Sequence, residues 1–287
     1  MSALPSPQEG TPQHMRRILV VWLVLTVIGV PLIVLVLGPH LPPGHMSAEA
    51  SDQTNANTVM TAVIAPIVFL LVAYFGYALV AFRARGDVLE DGAPIRGHAP
   101  TQTVWLVVTT ATVLGLAAWG SYTLIVSAHG AGGGQGPNPI ALPANYKSAL
   151  QVQVIGQQWN WTYRFPGYGS VETEHLDLPV DSDVEFHVTS LDVTHSFWAY
   201  QLGVKADAVP GVDNIAFVHP RKLGTFSIRC AELCGLWHGH MFQTGDVVSA
   251  TAFASWIAAQ KKAEAFNQKY LTPYARQYFP EPQRRAG

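Results

Sequence analysis

The sequence predicts a membrane-anchored all-β protein: two or three N-terminal transmembrane helices followed by an external β-sandwich. Three observations carry that expectation. The 287 residues are 49% hydrophobic and only 13% charged, against roughly 25% charged in an ordinary soluble domain. Stretches 18–37, 59–82 and 104–127 contain no charged residue. From about residue 150 onward, these long apolar runs give way to short alternating ones.

Each charge-free stretch reaches the ~20 residues a helix needs to cross ~30 Å of hydrocarbon. One Arg or Lys at mid-membrane costs about 2.5–3.5 kcal/mol, so charge-free runs of this length are informative. For the first stretch a cleaved signal peptide is the alternative, because Arg16 and Arg17 precede it and Ala48-Glu49-Ala50 offers a cleavage site. A run longer than the usual 7–15 residues, with the site well downstream, favours a retained span. Orientation follows from the basic residues. Arg16 and Arg17 precede the first span, Arg83, Arg85 and Arg96 lie between the second and third, and residues 38–58 hold no Lys or Arg. Basic flanks stay cytoplasmic, so 1–17 is a cytoplasmic N-terminus, 18–128 the transmembrane region, and the rest lies outside.

GAGGGQGPNP, residues 130–139, reads as a linker over about 129–138. The outer domain is expected over 139–252. Runs at 150–155, 159–165, 184–189, 215–218, 226–229 and 246–250 read as strands. Turn chemistry separates them at Pro166-Gly167, Pro179, Asp181-Ser182, Pro210-Gly211 and Pro220. Such spacing suggests a small sandwich or Greek-key barrel. In the tail, 253–287, Phe253, Trp256, Ile257 and Phe266 with Lys261 and Lys262 predict an amphipathic helix over the domain or the membrane surface. Residues 139–250 hold 6 Lys and Arg against 11 Asp and Glu, a net −5. Such a surface suits a basic partner, with ordinary solubility as the alternative, and no nucleic-acid partner is expected.

Chemistry concentrates in CAELCGLWHGHM, residues 230–241, which holds both cysteines of the chain. Cys230, Cys234, His238 and Met241 are spaced four, four and three apart. Thiolate, thioether and imidazole together select copper over hard cations. A mononuclear blue-copper centre uses a single Cys, which leaves one spare here. If both thiolates bridge two metals, the local loop is one donor short, and His195 in LDVTHSFW, residues 191–198, is the candidate. A structural disulfide suits an external location, but closing so short a loop gains little and leaves His238 and Met241 unexplained. A thiol-redox protein would be expected to show a thioredoxin-like βαβ pattern, which the outer region lacks. Trp159, Trp161, Tyr163 and Phe165 alternate with polar residues, predicting one aromatic strand face.

Cys230-Ala231-Glu232-Leu233-Cys234 with His238 and Met241 resembles the binuclear copper motif of subunit II of haem-copper cytochrome c oxidases. QWNWTY at 158–163, LDVTHSFW at 191–198 and QLGVKADAVPG at 201–211 extend the likeness, which runs from about residue 59 to 256. The resemblance implies a cupredoxin-like Greek-key β-sandwich in which Cys230 and Cys234 bridge two copper ions. His195 and Met241 complete one copper, and His238 with the Glu232 carbonyl the other. The Glu232 carboxylate faces a magnesium site shared with the catalytic subunit, and haem belongs to that partner alone. Trp159 is the implied electron entry point from cytochrome c or a cytochrome c domain. Asp181, Asp183 and Asp192 are candidates for the acidic docking surface.

The expected function is electron entry to a respiratory oxidase, with subunits I and III and the lipid bilayer as partners. The expected setting is a bacterial-type plasma (inner) membrane, the copper domain on the external or periplasmic side. Alternatives are the copper-domain subunit of a nitric oxide reductase or a membrane-anchored copper carrier; a quinol oxidase subunit would lack the ligands. The chain departs from the family pattern in three places. Gln102 stands where a glutamate usually precedes Trp105, Val212 replaces a basic residue after Pro210-Gly211, and the first span is extra. His240 lies outside the ligand pattern.

Overall fold

The computed structural model describes residues 11–83, 97–123, 148–265 and 283–284. The chain divides into two compact units, one of 1–41 with 55–120, the other of 42–54 with 121–287.

The first unit is helical. Helix α1 spans Thr11–Leu32, contains Pro31, and continues as a π turn at Ile33–Leu37 and a 3-10 turn at Gly38–His40. Helix α2 spans Ala48–Ala81 and α3 spans Ala99–Tyr122. All three are long and apolar enough to cross a membrane. Helices α2 and α3 begin before their charge-free stretches. Residues such as Glu49, Asp52 and Gln53 continue the helix of α2 but not its apolar surface, so apolarity marks the span and not the helix end. Helix α1 packs on α2: the Trp22 indole donates to the Pro66 carbonyl at 2.8 Å, and a Cβ at Gly29 would lie 2.5 Å from the Phe69 ring. Along these helices Val27, Leu35, Leu79, Val80 and Val107 stay exposed, the outward surface that lipid requires.

The second unit is a β-sandwich. Its strands are β1 Leu150–Gln157, β2 Asn160–Phe165, β3 Val171–Thr173, β4 Leu176–Pro179, β5 Val184–Ser190, β6 His195–Ala199, β7 Val204–Ala208, β8 Val212–Val218, β9 Gly224–Cys230, β10 Phe242–Val248 and β11 Gln283–Arg284. They form one sheet in the order β11-β8-β5-β1-β2-β3 and another in the order β4-β10-β9-β6-β7. β1 runs parallel to β5 and β10 parallel to β4. The crossovers put sequence-distant strands side by side, giving the cupredoxin-like Greek-key sandwich that the resemblance implied.

Alternation explains β2: Trp161, Tyr163 and Phe165 are fully buried, while Asn160, Thr162 and Arg164 are half-buried. They meet Val152, Val154, Phe186 and Phe197 between the sheets, each large apolar side chain contributing about 1.5–3 kcal/mol of burial. Trp159, half-buried, also packs against that core but precedes the strand. It sits with Gln158 in the turn joining β1 to β2, because the register pairs Gln157 with Asn160 and leaves those two residues to close the hairpin. Strands β3, β4, β6 and β7 were not among the runs read as strands: three to five residues are too few for a periodic signal. Strand β10 begins at Phe242, earlier than the predicted run at 246. It ends at Val248 because Ser249 caps the next element, its Oγ accepting the Ala252 N–H at 3.2 Å.

That element, α4 at Ala250–Ala263, buries Phe253 and Ile257 on the sandwich, with Trp256 edge-on to Phe165 at 5.5 Å. Phe266 and the linker at 129–138 lie outside the described residues. Residues 42–54 belong to this unit through hydrogen bonds from Ser47 Oγ to the Leu202 carbonyl (2.7 Å) and from the Ala48 N–H to the His219 carbonyl (3.1 Å). Ala48, Glu49 and Ala50, read as a candidate cleavage site, are buried in the first turn of α2.

Candidate metal centre

Two elements supply the predicted ligands. Strand β6 opens with His195 and is held on both sides, by β7 (His195 opposite Ala208) and by β9 (Phe197 opposite Cys230). Strand β9 ends at Cys230, and the loop that follows returns as β10. The Cys230 N–H donates to the Met241 carbonyl (3.0 Å) and the Ala231 N–H to the Ser196 carbonyl (2.9 Å), fixing the loop at its base. Inside it, a 3-10 turn at His238–His240 brings Met241 back beneath Cys234. Gly235 has φ +116°, a conformation that favours glycine.

The result is a convergence of soft donors. The Cys230 and Cys234 sulfurs lie 3.7 Å apart, well beyond the ~2.05 Å of a disulfide, and both cysteines are free. His195 Nδ1 is 3.8 Å from the Cys230 sulfur and His238 Nδ1 3.5 Å from that of Cys234. Met241 Sδ is 3.8 Å from the Cys234 sulfur, and the Glu232 carbonyl oxygen 3.2 Å from that of Cys230. His195, Cys230, Cys234 and Met241 are buried, His238 is half-buried, and the Glu232 side chain is exposed.

Electrostatics points the same way. Burial, then the neighbouring Cys230 thiol, pushes the Cys234 thiol up to about 12 from its ordinary 9.0. Two thiolates this close need a cation between them, and two sulfurs with two imidazoles and a thioether fit copper.

His195 is oriented from behind. Its Nε2 lies 2.9 Å from Asp192 Oδ1, and a proton held there leaves the Nδ1 lone pair facing Cys230. Its ring meets Trp161 edge-on at 5.9 Å. A Cβ at Gly156 would approach Trp161 to 3.0 Å and His195 to 3.2 Å, so that glycine makes room for both. Trp159 reaches the site through its indole N–H, which donates to the Cys234 carbonyl at 3.1 Å. Gln158 Nε2 donates to the same oxygen at 2.9 Å.

The other singled-out residues have surroundings of their own. Asp183 accepts from His219 Nδ1 at 2.7 Å, and Asp181 is exposed at φ 54°. Asp192 is an exposed residue, yet its carboxylate is occupied at the site. His240 is exposed and packs on Trp237 at 5.2 Å. Gln102 is in the first turn of α3, and Val212 opens β8. The parts that sequence reasoning missed are Gln158, Gly156 and Gly235, which carry no ligand chemistry and come close only through the β1–β2 turn.

Residues 172–248 match the family model for the periplasmic domain of cytochrome c oxidase subunit II. Over 283 aligned residues the chain is 26% identical to cytochrome c oxidase subunit 2 of Synechocystis sp., with 83% of this chain and 85% of that protein covered. The chain resembles the cytochrome c oxidase subunit II family, whose periplasmic-domain model matches its sandwich. Cytochrome c oxidase subunit 2 of Thermostichus vulcanus is 27% identical over 279 residues, covering 82% of this chain and 84% of that one. The crystal structure of the periplasmic domain of subunit II of cytochrome oxidase of Bradyrhizobium japonicum aligns at 33% identity and a TM-score of 0.39, over 40% of this chain and 94% of that domain. These relatives are named as subunits 2 of cytochrome c oxidases, and copper is the metal that family implies for such a site.

Proposed function

We propose that this chain is the electron-entry subunit of a respiratory haem-copper oxidase, taking electrons from cytochrome c and passing them to haem in catalytic subunit I for oxygen reduction. The observation that carries the reading is the convergence on two unbonded sulfurs, 3.7 Å apart, of two imidazole Nδ1 atoms, a thioether and a carbonyl. In this reading Cys230 and Cys234 would be shared by two coppers, with His195 and Met241 held to one and His238 and the Glu232 carbonyl to the other. The Glu232 carboxylate, exposed on the loop, serves a magnesium ion shared with subunit I. The sandwich faces the periplasm from a bacterial plasma membrane, all three spans are retained, and subunit III adjoins the assembly.

Bound copper supplies a one-electron carrier. The residues around it keep that carrier dry and fixed. Burial of His195, Cys230, Cys234 and Met241 excludes water, and ligands seated on paired strands and a tied loop have little freedom to rearrange when charge changes. Trp159 lies half-buried in a surface turn and bonds the ligand loop directly, so an electron arriving at its ring has one hydrogen bond to cross before Cys234. Asp181 and Asp183 attract a basic donor, acting mainly on encounter rate. Rapid mixing of reduced cytochrome c with the assembled oxidase tests this: Trp159→Ala is expected to lose most of the entry rate while keeping its copper, and an unchanged rate would remove Trp159 from the path.

A further inference from the structure

Asp192 is tied by both carboxylate oxygens. Oδ1 lies 2.9 Å from His195 Nε2 and accepts the Val193 N–H at 2.6 Å. Oδ2 accepts the Gln158 N–H at 2.6 Å. From Gln158 the network continues to the ligand loop, since its Nε2 and the Trp159 Nε1 both donate to the Cys234 carbonyl. A closed path therefore runs from the strand-borne ligand, through Asp192 and the β1–β2 turn, to the loop-borne ligand. Close packing supports it: a Cβ at Gly235 would come within 3.1 Å of Gln158 Nε2 and 3.2 Å of Trp159 Cζ2. Two segments with no sequence proximity meet here without a spare methyl between them.

We propose that Asp192 and Gln158 are positioning residues, which clamp the Trp159 turn to both ligand-bearing segments and so fix the electron entry point and the His195 imidazole relative to the sulfurs. The inference rests on the copper reading above and gives Asp192 a different role from Asp181. An encounter charge needs only to face solvent, whereas the Asp192 carboxylate is oriented inward by Gln158, Val193 and His195, with the Ser190 hydroxyl a fourth donor at 3.3 Å. Burial alone would raise its pKa; the hydrogen bonds from Gln158, His195 and Val193 outweigh that and hold it below the usual carboxylate range.

Asn in place of Asp192 keeps the shape but must turn an amide NH2 toward one of two N–H donors, so one bond becomes a clash of donors. Removing the anion beside His195 also makes the imidazole a poorer electron donor, which disfavours the oxidised metal and raises the midpoint potential. The test uses the full-length copper-loaded chain in detergent, as wild type, Asp192→Asn, Gln158→Ala and Asp181→Asn. The readouts are copper content, the electron paramagnetic resonance spectrum and the midpoint potential.

The clamp requires Asp192→Asn to keep two coppers with altered hyperfine splitting and an upward-shifted potential, Gln158→Ala to show a smaller change, and Asp181→Asn to match wild type. If Asp192→Asn has the wild-type spectrum and potential and differs only in the salt dependence of cytochrome c oxidation, Asp192 is a docking charge and the clamp is wrong. Should that variant not fold, Gln158→Ala decides by the same criterion, because its exposed side chain loses only the bond to the Cys234 carbonyl. A wild-type chain without a two-copper signal would instead sink the copper reading itself.

Discussion

The two histidines of the site are held in different ways. His195 is fully buried, sits on a strand paired on both edges, and is backed by Asp192. His238 lies in a 3-10 turn, is half-buried, and has no hydrogen bond to its Nε2 among the described residues. One half of the site is thus formed by the sheet before any metal arrives, while the other depends on the loop and on what the loop binds. Rigidity and access are divided between them.

The largest expected effect comes from breaking the shared part. Cys234→Ser should abolish two-copper binding, measured as metal per chain, since Cys230 alone is then left to join both ions and each ion is one soft ligand short. Next, His195→Gly and His238→Gly should separate the halves. Both lose the native spectrum, but added imidazole should restore it only for His238, beside which a depression lined by Arg229, Cys230, Met241 and Phe242 opens. Restoration of the His195 variant would show that its side of the site is not closed.

Gly235→Ala sharpens the comparison on the loop side. The substitution strains a left-handed backbone by roughly 1–2 kcal/mol and pushes on Gln158 and Trp159. Slower electron entry with copper retained is expected in rapid mixing. Smaller still is a pH effect in the metal-free chain. The Cys234 thiol is raised from 9.0 to about 12, so the folded state binds more protons than the unfolded one between those values. Its contribution to stability is complete below pH 9 and is lost as pH rises toward 12. Thermal unfolding of the metal-free chain should show that decline, and Cys234→Ser should flatten it.

Much of this was legible before the structure. Charge-free runs mark spans because hydrocarbon rejects charge, and the loop's soft ligands are close in sequence, so their spacing speaks for itself. The legible half of the site is the loop half. His195 could be nominated only by counting a missing donor, since one histidine in a strand region has no periodic signature. Asp192 reads as a surface acid because its partners, Gln158 and His195, lie far off or are ambiguous in sequence. Alternation includes Trp159 in the strand run because it cannot show where a hairpin turns; the Gln157–Asn160 pairing decides that, while Trp159 still packs against the core. Short strands such as β3 and β4 were missed for want of length, and β4 gains its place from pairing with β10, far along the chain.

The measurement that bears most directly on the account is the copper content of the purified full-length chain together with its electron paramagnetic resonance spectrum. Two coppers per chain sharing one unpaired electron is the result the proposal predicts, from two unbonded sulfurs 3.7 Å apart. One copper with a mononuclear spectrum, or none with Cys230 and Cys234 joined in a disulfide, would contradict it.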